Sequence, residues 1–196
     1  MTDPQNAPVG ALASTVSRSR LEAISDGIMA VAITLLVLRI DPPTPAPGES
    51  LSDALLQTTL GELGIFALSF FLIARFWLLH HNVFTHLPDR VSSKLVALNF
   101  VFLALICLVP FTSELYTQYG GDPMAFAVYA ITIALAGTII SIIAVLGGLP
   151  LTLRSVAVPV IFCASIPLAF VVPGWAWVLW LLILIVPSRR LESGGH

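Results

Sequence analysis

Two groups of polar residues interrupt apolar sequence and are placed to do chemistry. Arg20, Ser25 and Asp26 open the run RLEAISDGIMAVAITLLVLRI, residues 20–40, while Arg75, His80, His81 and Asn82 close a second apolar run. A carboxylate inside an apolar span is costly unless it is paired, which marks Asp26 as a site. Arg20 and Arg75 stand at similar depth, so Asp26 is expected to be a buried structural partner of these cations rather than an ion ligand. Two readings stay open for the second group. It is a polar latch with proton-sensitive histidines that fixes the first helix, or its long side chains reach out to the headgroups.

Further along the first run, Val31, Thr34, Leu35 and Leu38 stand at i, i+3, i+4 and i+7. Helical spacing puts all four on one face, with Ile33 on the opposite side. Gly27, Ala30 and Ala32 leave other directions free for close helix packing. At about 1.5 Å per residue the run is long enough to cross a hydrocarbon layer of roughly 30 Å. It therefore reads as the pore-lining or core helix of a membrane protein.

The rest of the chain supplies the elements that must hold this helix. Of 196 residues, 57% are hydrophobic and 10% are charged, against about 25% charged in ordinary soluble domains. Mean hydropathy is +0.95. The apolar segments fall at about 22–40, 55–82, 92–114, 123–146, 154–172 and 174–187, which predicts an all-α membrane protein of six spans. DPPTPAPGES separates the first two, Asp122-Pro123 starts the fourth and Gly147-Gly148 stops it. Pro159 and Pro167 predict a kinked fifth span. Trp175, Trp177 and Trp180 predict an interfacial belt at the sixth.

Orientation follows from the cations. Arg18, Arg20, Arg90, Lys94, Arg154, Arg189 and Arg190 fall on one side, and Arg39 is the sole basic residue among the acidic loops of the other. Both termini are thus expected in the cytoplasm. Residues 1–19 are polar and predict a disordered cytoplasmic N-terminus without a signal peptide, 20–190 form the six-helix domain, and 191–196 form a flexible tail.

Other chemistries find little support. A net charge of -2 without a basic cluster argues against nucleic acid. Cys107 and Cys163 lie in apolar runs and are expected to be small core residues. No zinc spacing and no nucleophile–base pair is present, so neither a metal site nor an enzyme is expected. Thr117-Gln118-Tyr119-Gly120-Gly121-Asp122 faintly resembles a carbonyl filter, yet it follows a span with no room for a re-entrant helix and reads as an extracellular turn.

RLEAISD resembles the Arg-x-x-x-Phe-Ser-Asp signature on the first helix of the TMEM175 family, the lysosomal and prokaryotic potassium channels, with Ile24 at the aromatic position. GIMAVAITLLVLRI is similar to the remainder of that helix in prokaryotic members. FWLLHHNVF at 76–84 and the spacing from Asn99 to Pro110-Phe111 agree, so the resemblance covers about 20–112. It implies a homotetramer in the prokaryotic inner membrane, with the first helices around a central pore that leaks K+ without a cofactor. By position, Val31, Leu35 and Leu38 form a hydrophobic constriction and Thr34 a polar layer bearing on selectivity. Arg20, Ser25 and Asp26 join a polar network with the histidine end of the second helix. A proton-coupled transporter using the Asp/His cluster is the alternative; it predicts broken spans with midplane charges, which the sequence lacks.

Overall fold

Several helices begin at a capping side chain, and the apolar runs end near proline or glycine. The computed structural model describes residues 16–172 and 175–185. Helix α1, Arg18–Val37, stops ahead of the proline-rich loop. A short α2, Leu51–Ala54, is capped by Ser50, whose hydroxyl accepts from Asp53 N at 3.2 Å. It continues through a π-helical turn, Leu55–Thr59, into α3, Leu60–Phe84. Helix α4, Ser93–Gln118, is followed by α5, Pro123–Leu146, whose first turn is capped by Asp122 accepting from Met124 N at 2.7 Å. Gly148, at φ 86°, ends α5 in the left-handed conformation that suits glycine.

Helix α6, Leu153–Val171, starts in a reciprocal cap between Thr152 and Ser155. It lies close against α5: a Cβ on Gly137 would meet Pro159 Cδ at 2.9 Å, so only glycine fits without displacement. A 3-10 helix, Ala176–Leu181, and a final turn α7, Leu182–Ile185, close the described chain. Helix α5 packs on α4 and α6, while α1 lies against α3 and α4. Ser69 and Tyr129 share a buried 3.0 Å hydrogen bond that ties α3 to α5.

Among the described residues, three helices, α3, α4 and α5, are long and apolar enough to cross a membrane. Helix α1 has 20 residues but carries Arg18, Arg20, Glu22 and Asp26 in its first half. The expected third span runs past residue 114 to Gln118 despite Pro110. Hydroxyls just after the proline bond backbone carbonyls, Thr112 to Val109 and Ser113 to Pro110; the carbonyl that a proline at 110 leaves without its amide donor is that of Ile106, the acceptor of neither. Thr117 and Gln118 consequently belong to α4, and only the rest of the filter-like stretch is a turn.

Four expectations are corrected. Val16–Ser17 is a strand paired with Arg90–Val91, and α1 begins at Arg18, so order starts before residue 20. Within its described residues, the sixth apolar segment is a 3-10 helix plus one turn instead of a spanning helix. Trp180 is 1% exposed and stands in the core, stacked on Phe126 at 4.6 Å and Phe162 at 5.0 Å, with its indole N–H donated to Ser165; Trp175 and Trp177 are exposed. Cys107 and Cys163 are exposed on the protomer; helices apolar all round carry no signal for which side faces inward, so the sequence could not place them. Arg189 and Arg190 lie outside the described residues.

Candidate functional site

Helix α1 divides into two faces. Leu21, Ser25, Met29, Ala32 and Leu36 form a buried stripe at steps of four, four, three and four residues. Within it, Ser25 Oγ donates to Leu21 O at 2.7 Å and accepts from Asn99 Nδ2 at 3.0 Å. Asn99 Oδ1 in turn lies 2.9 Å from His80 Nε2. An amide oxygen only accepts, so His80 donates here through Nε2. The three side chains are buried to 1% exposure or less and come from α1, α4 and α3. His80 is further held by ring stacking on Phe84 at 3.9 Å and on Phe102 at 5.8 Å. The chain of donors therefore fixes the rotation of α1 about its own axis.

Asp26 follows Ser25 by one residue, about 100° around the helix, and it is exposed on the protomer. Its Oδ1 accepts from the indole Nε1 of Trp77 at 2.8 Å, and Trp77 stacks on His81 at 6.0 Å. The expectation of a buried Asp26 paired with Arg20 or Arg75 is therefore corrected. Arg20 is exposed, Arg75 is buried at 8%, and the partner of Asp26 is an indole on α3. Asn82 and His81 are exposed as well; Asn82 contributes its carbonyl, which accepts from Thr85 Oγ1 at 2.8 Å.

The second face of α1 is open. Val31 is 56% exposed, Leu35 42% and Leu38 73%, the last standing one residue beyond the helix. Thr34 lies among them and donates its hydroxyl hydrogen to Val31 O at 2.8 Å, which leaves its oxygen as an acceptor on the open side. Ile33 instead packs against the core.

Sequence reasoning overlooked Asn99 as a member of the network, Trp77 as the partner of Asp26, and Arg18. Asn99 carried a usable signal, since an amide inside an apolar helix must find a partner. Arg18 Nη1 donates to Leu87 O at 2.7 Å, across 69 residues of sequence. No local pattern announces such a contact.

These elements define a mostly helical membrane protein in which one helix is clamped on one side and presents an apolar face on the other. Residues 20–110 match the family model described as endosomal/lysosomal potassium channel TMEM175. The fold is shared with the solved structure of a lysosomal potassium-selective channel TMEM175 homolog from Chamaesiphon minutus. That likeness has a TM-score of 0.74 at 24% identity, over 86% of this chain and 95% of the other. A protein of Streptomyces collinus named as a potassium channel is 34% identical over 116 residues, 57% of this chain and 55% of its own. Another so named, from Chamaesiphon minutus, is 38% identical over 108 residues, 54% and 52%. The chicken endosomal/lysosomal proton channel TMEM175 is 23% identical over 134 residues, 68% of this chain and 26% of its own. The match thus spans about half the length of these two bacterial relatives and about a quarter of the chicken protein.

Proposed function

We propose that this chain is a subunit of a potassium-selective leak channel. The observation that carries the reading is the open face of α1, where Val31, Thr34, Leu35 and Leu38 lack intramolecular cover while Ser25 holds the opposite face. Four copies of the subunit, arranged with α1 innermost, stack Val31, Leu35 and Leu38 into apolar rings. Such rings resist flow by excluding water. Thr34 sets four hydroxyl oxygens between them, acceptors that partly replace the water around a dehydrating K+. Both termini lie in the cytoplasm, and the protein resides in the prokaryotic plasma membrane. Asp26 and Trp77 stand exposed beside the open face, where a neighbouring copy covers them. No cofactor is required; the permeating K+ is the substrate.

The test is the reversal potential of purified protein in a planar bilayer under opposed potassium and sodium gradients. A reversal near the potassium potential is expected, and absent current in competent bilayers removes the reading. A second reading, proton-coupled transport through the Asp/His cluster, would draw on the Ser25–Asn99–His80 chain, which does not include Asp26. That chain closes on the Leu21 carbonyl, a terminal acceptor that passes no proton onward. A current that reverses with the pH gradient alone would favour this second reading.

A further inference from the structure

The first residue of α1 is a cation at the positive end of its own helix. Arg18 opens the helix, and the first turn holds no acidic residue, so the helix dipole disfavours a guanidinium there. Its contacts account for the position. Nη1 donates to Leu87 O at 2.7 Å and to Phe84 O and Thr85 O at 3.4 Å, carbonyls at and just beyond the C-terminal end of α3, where the helix leaves its partial negative charge. Arg18 N donates to Asp89 O at 2.9 Å, and Val16 pairs with Val91 in a two-residue antiparallel ladder. The Arg18–Asp89 ion pair, at 3.5 Å, is secondary: Asp89 is 96% exposed and solvent screens it.

We infer that Val16–Arg18 and residues 84–91 form a clasp that sets the position of α1, with Arg18 as a positioning residue for the conduction path. The functional half of this inference rests on the channel reading above. The clasp at one end and the adjacent Ser25–Asn99 and Asp26–Trp77 hydrogen bonds at the other are the directional holds, separated by seven to eight residues or about 10–12 Å along the axis. Beyond Ser25, the buried stripe holds α1 through Met29, Ala32 and Leu36. Apolar burial is non-directional and permits sliding and rotation where hydrogen bonds do not. Leu35 and Leu38 lie at the far end of this lever, so a small displacement at the clasp is magnified where the face is most exposed. Arg18 thereby governs how often the path conducts, not which ion it prefers.

Potassium current and amide hydrogen exchange, measured on the full chain, test this. The forms are wild type, Arg18→Gln, and the pair Val16→Cys/Val91→Cys with and without Arg18→Gln. Arg18→Gln is expected to change open probability about tenfold, the equivalent of one charge-assisted hydrogen bond, with the reversal potential unchanged. It should also speed exchange over residues 18–25. Val16 and Val91 are in register, so oxidation should join the cysteines and restore both readouts in the Arg18→Gln background. Reduction should undo the rescue. Unchanged gating and exchange in Arg18→Gln, a cysteine pair that does not oxidise, or a disulfide that restores neither readout overturns the inference. Hydrogen exchange needs no current: a non-conducting wild type removes the channel reading, while exchange still decides whether the clasp positions α1.

Discussion

Asn99 donates its amide to Ser25 at 3.0 Å in the interior of the protein, a hydrogen bond between residues 74 positions apart. It is the direct polar tie between α1 and α4, and it decides which side of α1 is turned inward. Asn99→Leu leaves the Ser25 and His80 groups without this partner, and a buried polar group stranded in this way costs about 1–3 kcal/mol. Lower thermal stability in detergent is expected, with a smaller loss for Asn99→Asp, which still accepts from His80. Equal melting of Asn99→Leu and wild type would show that the bond contributes nothing.

Asp26 and Trp77 form an exposed pair on the protomer, so the two residues should be coupled to each other more than to the core. In a double-mutant cycle of Asp26→Asn and Trp77→Phe, a coupling of about 0.5–1.5 kcal/mol is expected, the range for one hydrogen bond. Additive effects on unfolding would dissolve the pair.

The two faces of α1 should respond oppositely to truncation. Leu36 is 2% exposed, and Leu36→Ala should destabilise the protein by about 2–5 kcal/mol through a cavity. Leu35 and Leu38 are exposed, so alanine there should cost little stability while raising conductance and weakening the preference for potassium over sodium. Thr34→Ala should alter selectivity more than stability, and Ile33→Ala should leave ion preference unchanged. A Leu35→Ala protein with low stability and unaltered permeation would take Leu35 out of the pore.

Gly137 tests the packing of α5 on α6. A methyl group there meets Pro159 at 2.9 Å and its backbone nitrogen at 3.4 Å, and overpacking of this kind costs about 1–3 kcal/mol. Gly137→Ala should lower the melting temperature, with partial recovery when Pro159→Ala is added. A Gly137→Ala protein as stable as wild type would mean that the helices part without cost.

Orientation is open to chemical labelling. A cysteine at Ser50, between α1 and α2, should react with a membrane-impermeant reagent applied to whole cells, and a cysteine at Thr85, after α3, should not. The reverse pattern would invert the protein in the membrane.

Much of the helical framework was legible in the chain because its causes are local. Asp122-Pro123 and Gly147-Gly148 bound α5 as expected, since caps and stops act within a few residues. Helical spacing likewise places Val31, Thr34, Leu35 and Leu38 together whatever surrounds them. Local signals failed where the surroundings decided. The span through Pro110 continued to Gln118, and the segment with Trp180 wound into a 3-10 helix beside the aromatic core. The contacts that matter most at the site, Ser25 with Asn99, Asp26 with Trp77 and Arg18 with the end of α3, join residues more than fifty positions apart. Helices apolar on every side carry no periodic mark of inside and outside. Only their packing shows that Cys107 and Cys163 face outward, that Asp26 accepts from an indole, and that the chain before residue 20 clasps the end of α3.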